Sequence, residues 1–331
     1  MTPFETLSQE EQVARLEVLA RAALARFAVE PESLAPLVHA ENTTFKVVSA
    51  GETYCVRIHR TDYQNFESIQ SELEWLSALR RETDLQVPNP VRTPSGDLVV
   101  VEEADGVPEA RNVVLFRWME GEPVWNSYGP DQARTIGTLM ARLHIHGREW
   151  SKPTGFRRHR LDEHGIYAPK TDWPLAEPHR FLTEERREFV NRIAEESRSA
   201  MRALGTGSDV YGLMHADLHQ GNVLVDGDAY KIIDFDDCGT GHYVYDIAAA
   251  IAFRVENEDF TAVRDALYEG YETVAPLPPG TRELLPTFLR MRFYALIRWM
   301  IDRSHTNAKM RDNGHKYVDY YLGSIEMTYA L

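Results

Sequence analysis

The chain has 331 residues, of which 43% are hydrophobic and 26% are charged, so it holds enough apolar material for a sizeable core. Acidic residues outnumber basic residues by 51 to 36, and the formal net charge of −15 disfavours nucleic acid or an anionic membrane as a partner. The two cysteines, Cys55 and Cys238, have no metal-ligand spacing and indicate a reduced, cytoplasmic protein. The length suggests two domains.

The first part of the chain mixes helices with strands. A capping box at Ser8 and Glu11 predicts an N-terminal helix, and two β-rich runs flanking Gly51-Glu52 predict a hairpin. Apolar spacing predicts three further elements, which are a helix over 66–81 and strands over 98–102 and 112–118. We therefore predict a small mixed β/α lobe over residues 1–117.

Helical periodicity takes over after a predicted hinge at residues 118–122. The expected elements are helices over 131–146, 189–204, 286–305 and 314–329, a loop over 150–178, and two short strands around Asp226-Gly227. Pro286 is expected in the first turn of its helix. Residues 123–331 are thus predicted to form a larger, mainly helical lobe, and the fold class is α+β.

Two acidic segments in this second lobe carry a recognisable spacing. His215-Ala-Asp-Leu-His-Gln-Gly-Asn222 fits H-x-D-x-x-x-x-N, the spacing of a protein-kinase catalytic loop. Ile233-Asp-Phe-Asp-Asp237 places D-F-D where kinases carry D-F-G. Each segment alone is a weak signal, but both together at this separation predict phosphoryl transfer.

Phosphoryl transfer explains why these residue types occur at this spacing. Mg²⁺ must neutralise the phosphate charge, and it prefers hard oxygen ligands such as the Asn222 amide and the Asp234 carboxylate. A second carboxylate, Asp217, would face the acceptor hydroxyl, orient it and accept its proton. The sequence therefore predicts ATP and Mg²⁺ as cofactors.

These motifs resemble the signature of the aminoglycoside phosphotransferase and choline kinase superfamily. His215–Asn222 is similar to its H-G-D-L-H-x-x-N motif, and Tyr245-Asp-Ile-Ala248 matches the end of the signature. Within the superfamily, the chain is most similar to the branch of type II homoserine kinases and of stress-response Ser/Thr kinases of the RdoA/SrkA type. The resemblance implies a bilobal protein-kinase-like fold.

The resemblance assigns roles to residues of the catalytic lobe. Asp217 matches the catalytic Asp, and Asn222 and Asp234 match the metal ligands. Asp246 matches a buried acid that supports the catalytic loop, and His215 is expected to support it as well. The further candidates are His219, near the phosphates, and Asp236, which shares a face with Asp234 if the segment is extended.

In the small lobe the matches are less specific and concern the nucleotide. Glu72 matches the helix acid that pairs with a strand cation, here Arg57, and Cys55 on the same strand face would cover the adenine. Phe116 falls at the gatekeeper position. The remaining candidates for nucleotide contacts are the hinge residues Arg117 to Met119 and the turn Glu41-Asn42-Thr43-Thr44, which replaces a Gly-rich loop.

The chain departs from the family pattern at three positions. Arg57 stands where kinases have Lys, which preserves the charge but changes its reach and geometry. Ala216 and Asp236 each stand where the pattern has Gly. A run with a different character, Leu289–Met300, is interpreted as an amphipathic helix with a solvated basic edge, and the alternative is a wall of the acceptor site.

The expected function is ATP- and Mg²⁺-dependent transfer of a phosphoryl group to an alcohol hydroxyl of a small, amine-bearing molecule. The acids around Asp217 suit an amine on the acceptor. One alternative is the same chemistry on a Ser or Thr of a protein, as in the stress-response kinases. Another is a non-catalytic nucleotide-binding scaffold. The sequence carries no readable code for the acceptor, so these alternatives stay open.

Overall fold

The computed structural model of the chain describes residues 4–61, 63–162 and 179–331. The chain separates into a small unit and a large unit, and each takes in several segments. The small unit comprises Met1–Glu120, Thr154–Arg157 and Arg303–Asp312, and the large unit comprises Gly121–Pro153, Arg158–Asp302 and Asn313–Leu331. Within the described ranges, no helix is both long enough and apolar enough to cross a membrane.

The small unit is built on an antiparallel sheet with two helices. Its elements are α1 (Gln9–Arg26), β1 (Ser33–His39), β2 (Thr43–Ser49), β3 (Glu52–Ile58), α2 (Phe66–Glu82), β4 (Asn89–Pro90), β5 (Val99–Glu102) and β6 (Arg111–Arg117). The strand order is β1-β2-β3-β6-β4, and β5 also pairs with β6. The Ser8–Glu11 capping box begins α1 as predicted, because both of its reciprocal hydrogen bonds are formed.

Two details of the small unit differ from the sequence-based expectations. Strand β1 was not predicted, since its residues are largely exposed and show no alternation. The hairpin turn is Ala50-Gly51 rather than Gly51-Glu52, because Ser49 pairs with Glu52. Both turn residues have positive φ, 50° and 78°, which suits a tight hairpin.

The two faces of this sheet have different surroundings. Phe45, Val56 and Leu115 are fully buried in the core that also contains the apolar side of α1. The strand register places Thr44 opposite Arg57, and Cys55 opposite Phe116. Since side chains alternate between faces, these four nucleotide candidates share the face that lies opposite this core, whereas Thr43 lies on the core face with Phe45.

The large unit is mainly helical and carries two three-stranded sheets. Its elements are β7 (Glu122–Pro123), α3 (Pro130–Glu149), β8 (Arg160–Leu161), α4 (Glu184–Leu204), β9 (Tyr211–Met214), β10 (Val223–Asp226), β11 (Ala229–Ile232), β12 (Gly239–His242), α5 (Tyr243–Ile251), α6 (Phe260–Glu272), α7 (Thr281–Thr306) and α8 (Ala308–Met327). The strand orders are β11-β10-β7 and β8-β12-β9. The end of α7 and the start of α8 belong to the small unit.

Glycine allows α3 and α6 to approach each other closely. A Cβ on Gly270 would lie 1.8 Å from the Arg134 carbonyl oxygen, and one on Gly137 would lie 2.1 Å from the Leu267 carbonyl oxygen. No side chain fits at either position, so the two helix backbones meet directly.

The helices and the strand pair predicted for this unit are present, with three corrections. Helix α7 begins at Thr281, so Pro286 lies inside it and not in its first turn. Helix α8 begins at Ala308, six residues earlier than predicted, and its final residues are followed by a short 3₁₀ helix. In the predicted loop, Arg160–Leu161 forms a strand with β12, whereas residues 163–178 lie outside the described residues.

Candidate active site

The candidate catalytic loop, residues 215–222, connects β9 to β10. Asp246 of α5 binds the backbone at the start of this loop. Asp246 Oδ2 accepts a hydrogen bond from the His215 backbone N–H at 3.0 Å, and Oδ1 accepts one from the Ala216 N–H at 2.5 Å. His144 Nε2 lies 3.0 Å from Asp246 Oδ2, and the Asp246 side chain is fully buried. The carboxylate therefore fixes two successive backbone amides of the loop.

Ala216 has a left-handed backbone, with φ 71°. This conformation costs an L-residue about 1–2 kcal/mol, whereas glycine adopts it freely. The geometry explains physically why the family pattern has Gly at this position, and it locates strain in the residue directly before Asp217.

Asp217 is surrounded by polar groups from α7 and from its own loop. Its Oδ1 accepts a hydrogen bond from Arg292 Nη2 of α7, and its Oδ2 accepts one from Asn222 Nδ2 at 3.0 Å. His219 Nε2 lies 3.6 Å from Oδ2. Burial by itself raises the pKa of Asp217, but the Arg292 guanidinium and the neighbouring histidines outweigh it and hold that pKa below its usual value.

Arg292 corrects the interpretation of Leu289–Met300 as a helix with a solvated basic edge. The Arg292 side chain is only 8% exposed and forms an ion pair with Asp217, and Arg290 of the same helix is buried as well. Helical spacing places both arginines on predictable faces, but it does not show what packs over those faces. Sequence reasoning therefore missed Arg292 as a member of the site.

The backbone brings Asn222 close to Asp234. Strand pairing sets Val223 opposite Ile232, and the Ile233 N–H donates to the Asn222 carbonyl oxygen at 2.9 Å. His215 joins the same two segments, because its Nδ1 accepts from the Asp217 N–H and its Nε2 donates to the Ile233 carbonyl oxygen. The motif residues separated by twelve positions in the sequence thus lie on adjacent strands and loops.

The segment after Ile233 is not extended, contrary to expectation. Asp234 is left-handed, with φ 63° and ψ 62°, and Phe235–Asp237 forms a turn of 3₁₀ helix. Asp234 is exposed whereas Asp236 is 5% exposed, so the alternation that would place both carboxylates on one face does not apply. Arg158 fixes this turn by donating to the carbonyl oxygens of Asp236 and Cys238.

Two aromatic rings lie beside His219, the second histidine of the catalytic loop. The His219 ring lies 5.4 Å from Trp125 and 5.7 Å from Phe253, and those two rings are 5.9 Å apart. The Gly221 N–H donates to His219 Nδ1, so Nε2 carries the proton that faces Asp217. A Cβ on Gly221 would lie 2.6 Å from the His219 ring and 2.8 Å from the Trp125 ring, which explains the glycine.

In the small unit, Arg57 of β3 pairs with Glu72 of α2 as the sequence predicts. Arg57 Nη2 lies 2.8 Å from Oε1 and 2.7 Å from Oε2 of Glu72, and the two side chains are 6% and 1% exposed. The Arg57 guanidinium lies 5.1 Å from the centre of the Phe116 ring. Cys55, two residues before Arg57, is half-buried on the same strand face.

The other small-unit candidates lie at the two ends of the sheet. Thr43 is buried, and its hydroxyl lies 2.7 Å from His39 Nδ1, whereas Thr44 is half-buried opposite Arg57. Asn42 Oδ1 accepts a hydrogen bond from the Arg60 N–H at 3.3 Å. Arg117 is exposed and donates to Glu52 at 2.6 Å, and Met119 follows it as a half-buried residue.

The donor set of the large unit fits a hard divalent cation. Asn222 uses its amide nitrogen as the donor to Asp217, so its amide oxygen is the atom suited to a metal. Asp234, which is exposed, would supply a second oxygen from its carboxylate. One amide oxygen and one carboxylate are ligands that Mg²⁺ accepts, with water in the rest of its shell.

Comparison with known proteins identifies the class. Residues 33–284 match the model of the phosphotransferase enzyme family, and since this is well over half of the chain, the protein belongs to that family. It is similar to amicoumacin kinase of Bacillus subtilis, with 26% identity over 305 residues that cover 86% of this chain and 85% of the relative. It is also similar to homoserine kinase of Polaromonas naphthalenivorans, with 27% identity over 286 residues and coverage of 83% and 84%.

A solved structure adds a similar enzyme. A microcompartment-associated aminopropanol kinase is 31% identical, with a TM-score of 0.81 and coverage of 95% of this chain and 96% of that chain. The predicted kinase-like fold, the superfamily and the prediction of a phosphotransferase are therefore confirmed. At this level the protein is a phosphotransferase, and the similar enzymes are named for small-molecule acceptors.

Proposed function

We propose that the protein transfers the γ-phosphoryl group of ATP to the hydroxyl of a small amino alcohol. The observation that carries this proposal is the Asp217 carboxylate, held beside Asn222 on a loop that Asp246 fixes. A rigid carboxylate next to a metal-binding amide is what transfer to an alcohol requires, because this chemistry depends on positioning and charge stabilisation.

Asp217 acts on the acceptor hydroxyl. One carboxylate oxygen accepts the hydroxyl hydrogen bond and orients the oxygen towards the γ-phosphorus. As the new O–P bond forms, the bond from the γ-phosphorus to the bridging oxygen breaks, the hydroxyl proton passes to Asp217, and ADP leaves. Arg292 keeps Asp217 ionised and limits its rotation, since it donates to Oδ1.

Asn222 and Asp234 would hold Mg²⁺, which neutralises charge on the phosphates when it is bound. Arg57 is proposed to bind the phosphates, with Glu72 orienting its guanidinium. Asn42 of the β1–β2 turn, with Thr43 and Thr44 at the start of β2, is proposed to lie against the phosphates. Phe116, Arg117 and Met119 mark the segment proposed for adenine. His215 supports the loop, whereas His219 and Asp236 are further candidates for contacts with the phosphates or the metal.

Two observations favour an amine on the acceptor. Aminopropanol and homoserine, named for two of the similar enzymes, both carry a primary amine besides a hydroxyl. The rings of Trp125, His219 and Phe253 lie beside the Asp217 loop, and Trp125 is 47% exposed. Aromatic faces attract ammonium groups, so these rings suit the acceptor amine.

A radiolabel assay tests this proposal. The purified protein is incubated with [γ-³²P]ATP, Mg²⁺ and either 1-aminopropan-2-ol, homoserine or propane-1,2-diol, in which a hydroxyl replaces the amine of aminopropanol. We expect label in an amino alcohol, little or none in the diol, and a loss of about 10²–10⁴-fold in the rate with Asp217→Asn.

Each other result has a distinct meaning. Equal transfer to the diol would remove the amine from the proposal, and label on a generic protein substrate alone would favour the Ser/Thr kinase alternative. Binding of MgATP without any transfer would favour the scaffold. Full activity of Asp217→Asn would contradict the catalytic role.

A further inference from the structure

The β1–β2 turn, residues 40–42, is fixed by a residue from the far end of the chain. Arg303, at the C-terminal end of α7, belongs to the small unit and is only 4% exposed. Its Nη2 donates to the Ala40 carbonyl oxygen, and its Nε lies 3.3 Å from Glu41 Oε2. More than 250 residues separate these partners in the sequence, so no local pattern predicts this contact.

A second guanidinium binds the same acid. Arg60 Nη2 lies 2.8 Å from Glu41 Oε1, and both side chains are less than 20% exposed. Arg60 also donates its backbone N–H to Asn42 Oδ1. One carboxylate of the turn therefore faces two guanidinium groups, which offset its negative charge.

The turn has a further support on its other side. His39 Nδ1 lies 2.7 Å from the Thr43 hydroxyl, and His39 Nε2 lies 3.0 Å from Gln12 Oε1 of α1. The turn contains no glycine, in contrast to the flexible loop that covers phosphates in protein kinases. Its conformation is thus set by residues from α1, from the segment after β3 and from the end of α7.

The charge of Glu41 affects how a nucleotide can bind at the turn. A carboxylate in a turn that faces phosphates repels them, whereas neutralising Glu41 removes that cost. The ion pairs with Glu41 and the Arg303 hydrogen bond to the Ala40 carbonyl hold the turn in place, which leaves neighbouring backbone N–H groups at a defined position. This argument rests on the proposed function, in which residues 42–44 bind the ATP phosphates.

We propose that Arg303 is a positioning residue for the nucleotide phosphates, which fixes the β1–β2 turn and offsets the negative charge of Glu41. The segment Arg303–Asp312 thereby raises the affinity for ATP, although it lies outside the two kinase motifs at residues 215–222 and 233–237. The recognised chemistry is the polyphosphate of a nucleotide and not its base or ribose.

Equilibrium binding without an acceptor tests the role of Arg303. Isothermal titration with MgATP and with adenosine is carried out on the full chain, on Arg303→Gln and on the control Arg282→Gln. Arg282 is an exposed arginine of the same helix that pairs with Glu272, so it matches the chemistry of the change. We expect Arg303→Gln to weaken MgATP binding about tenfold or more, with adenosine binding within about twofold and Arg282→Gln unchanged.

A change at Glu41, the partner of Arg303, distinguishes a positioning role of Arg303 from a purely structural one. Glu41→Gln removes the repelling charge and keeps both guanidinium groups, so MgATP affinity is expected to stay the same or rise. If Arg303 only supported the fold, both variants would weaken MgATP and adenosine alike, which would overturn the proposal. Arg303→Lys keeps the charge and replaces Arg303→Gln in the test if the Gln variant does not fold. Its affinity for MgATP is expected to lie between those of the wild type and Arg303→Gln.

The outcomes also distinguish this inference from the proposed function. If the wild-type chain bound MgATP no more tightly than adenosine, the phosphate site itself would be wrong, and the inference would fall with it. If the wild type preferred MgATP and Arg303→Gln retained that preference in full, only the role of Arg303 would be wrong.

Discussion

The proposed site includes one arginine–carboxylate pair in the small unit and one in the large unit, and the two pairs divide their roles in opposite ways. In the small unit, Glu72 orients Arg57, and the arginine is the group proposed to bind phosphate. In the large unit, Arg292 orients Asp217, and the carboxylate is the group proposed to act on the acceptor.

The two pairs also differ in how completely they are buried. The Arg57 and Glu72 side chains are 6% and 1% exposed, whereas Asp217 keeps 18%. A carboxylate that must contact a substrate needs an open side, but one that only orients a cation does not. In each pair, the member proposed to contact a ligand is the more exposed of the two, and its orienting partner is the more buried.

The largest expected effect comes from breaking the more buried pair. Arg57→Met leaves the Glu72 charge buried without its partner and should lower the free energy of unfolding by about 3–5 kcal/mol. Adding Glu72→Leu removes the stranded charge, so urea denaturation should show most of the stability restored. Nucleotide binding should stay weak in both variants, and tight MgATP binding by the double variant would exclude Arg57 from the phosphate site.

Breaking the second pair should cost less stability and more activity. Arg292→Met leaves Asp217 with the Asn222 hydrogen bond and partial access to water, so the free energy of unfolding should fall by about 2–3 kcal/mol. The misoriented carboxylate should lower kcat by about 10²-fold. Single-turnover transfer and urea denaturation measure the two effects, and unchanged kcat would show that Arg292 is structural only.

The stability of the protein as a function of pH tests His39, which lies beside the β1–β2 turn of the small unit. Burial, aided by the positive charges of Arg303 and Arg111, lowers the pKa of His39 to about 4. The unfolded chain binds this proton near pH 6.5, so the contribution of His39 to stability is complete above that pH and decreases as the pH falls towards about 4. His39→Gln should remove about 2 kcal/mol of the stability lost between pH 7 and pH 5. Equal losses in the variant and the wild type would contradict this assignment.

The smallest effect concerns strain in the catalytic loop. Ala216→Gly relieves a left-handed alanine at φ 71° and should raise the free energy of unfolding by about 1 kcal/mol, after the larger entropy of unfolded glycine is subtracted. Ala50→Gly in the small-unit hairpin, at φ 50°, is the matched control and should give a similar gain. A loss of stability at Ala216 alone would mean that its methyl group packs more favourably than its backbone is strained.

Much of this protein was determined by local sequence. Capping at Ser8, the helical spacing of α2 and α3 and the β-rich runs of the first hairpin placed these elements correctly, because each depends on near neighbours in the chain. The spacing of Asp217, Asn222 and Asp234 was sufficient to predict phosphoryl transfer, since the catalytic loop and the strand pair after it are continuous in sequence.

Tertiary structure alone decided the contacts that depend on distant segments. The pairing of Arg292 with Asp217, the contact of Arg303 with the turn at Glu41, and the assignment of Arg303–Asp312 to the small unit join residues 75 or more positions apart. Periodicity tells which face of α7 an arginine occupies, but only packing decides whether water or a carboxylate covers that face. The sequence by itself therefore determined the chemistry, whereas the tertiary structure decided which charges orient it.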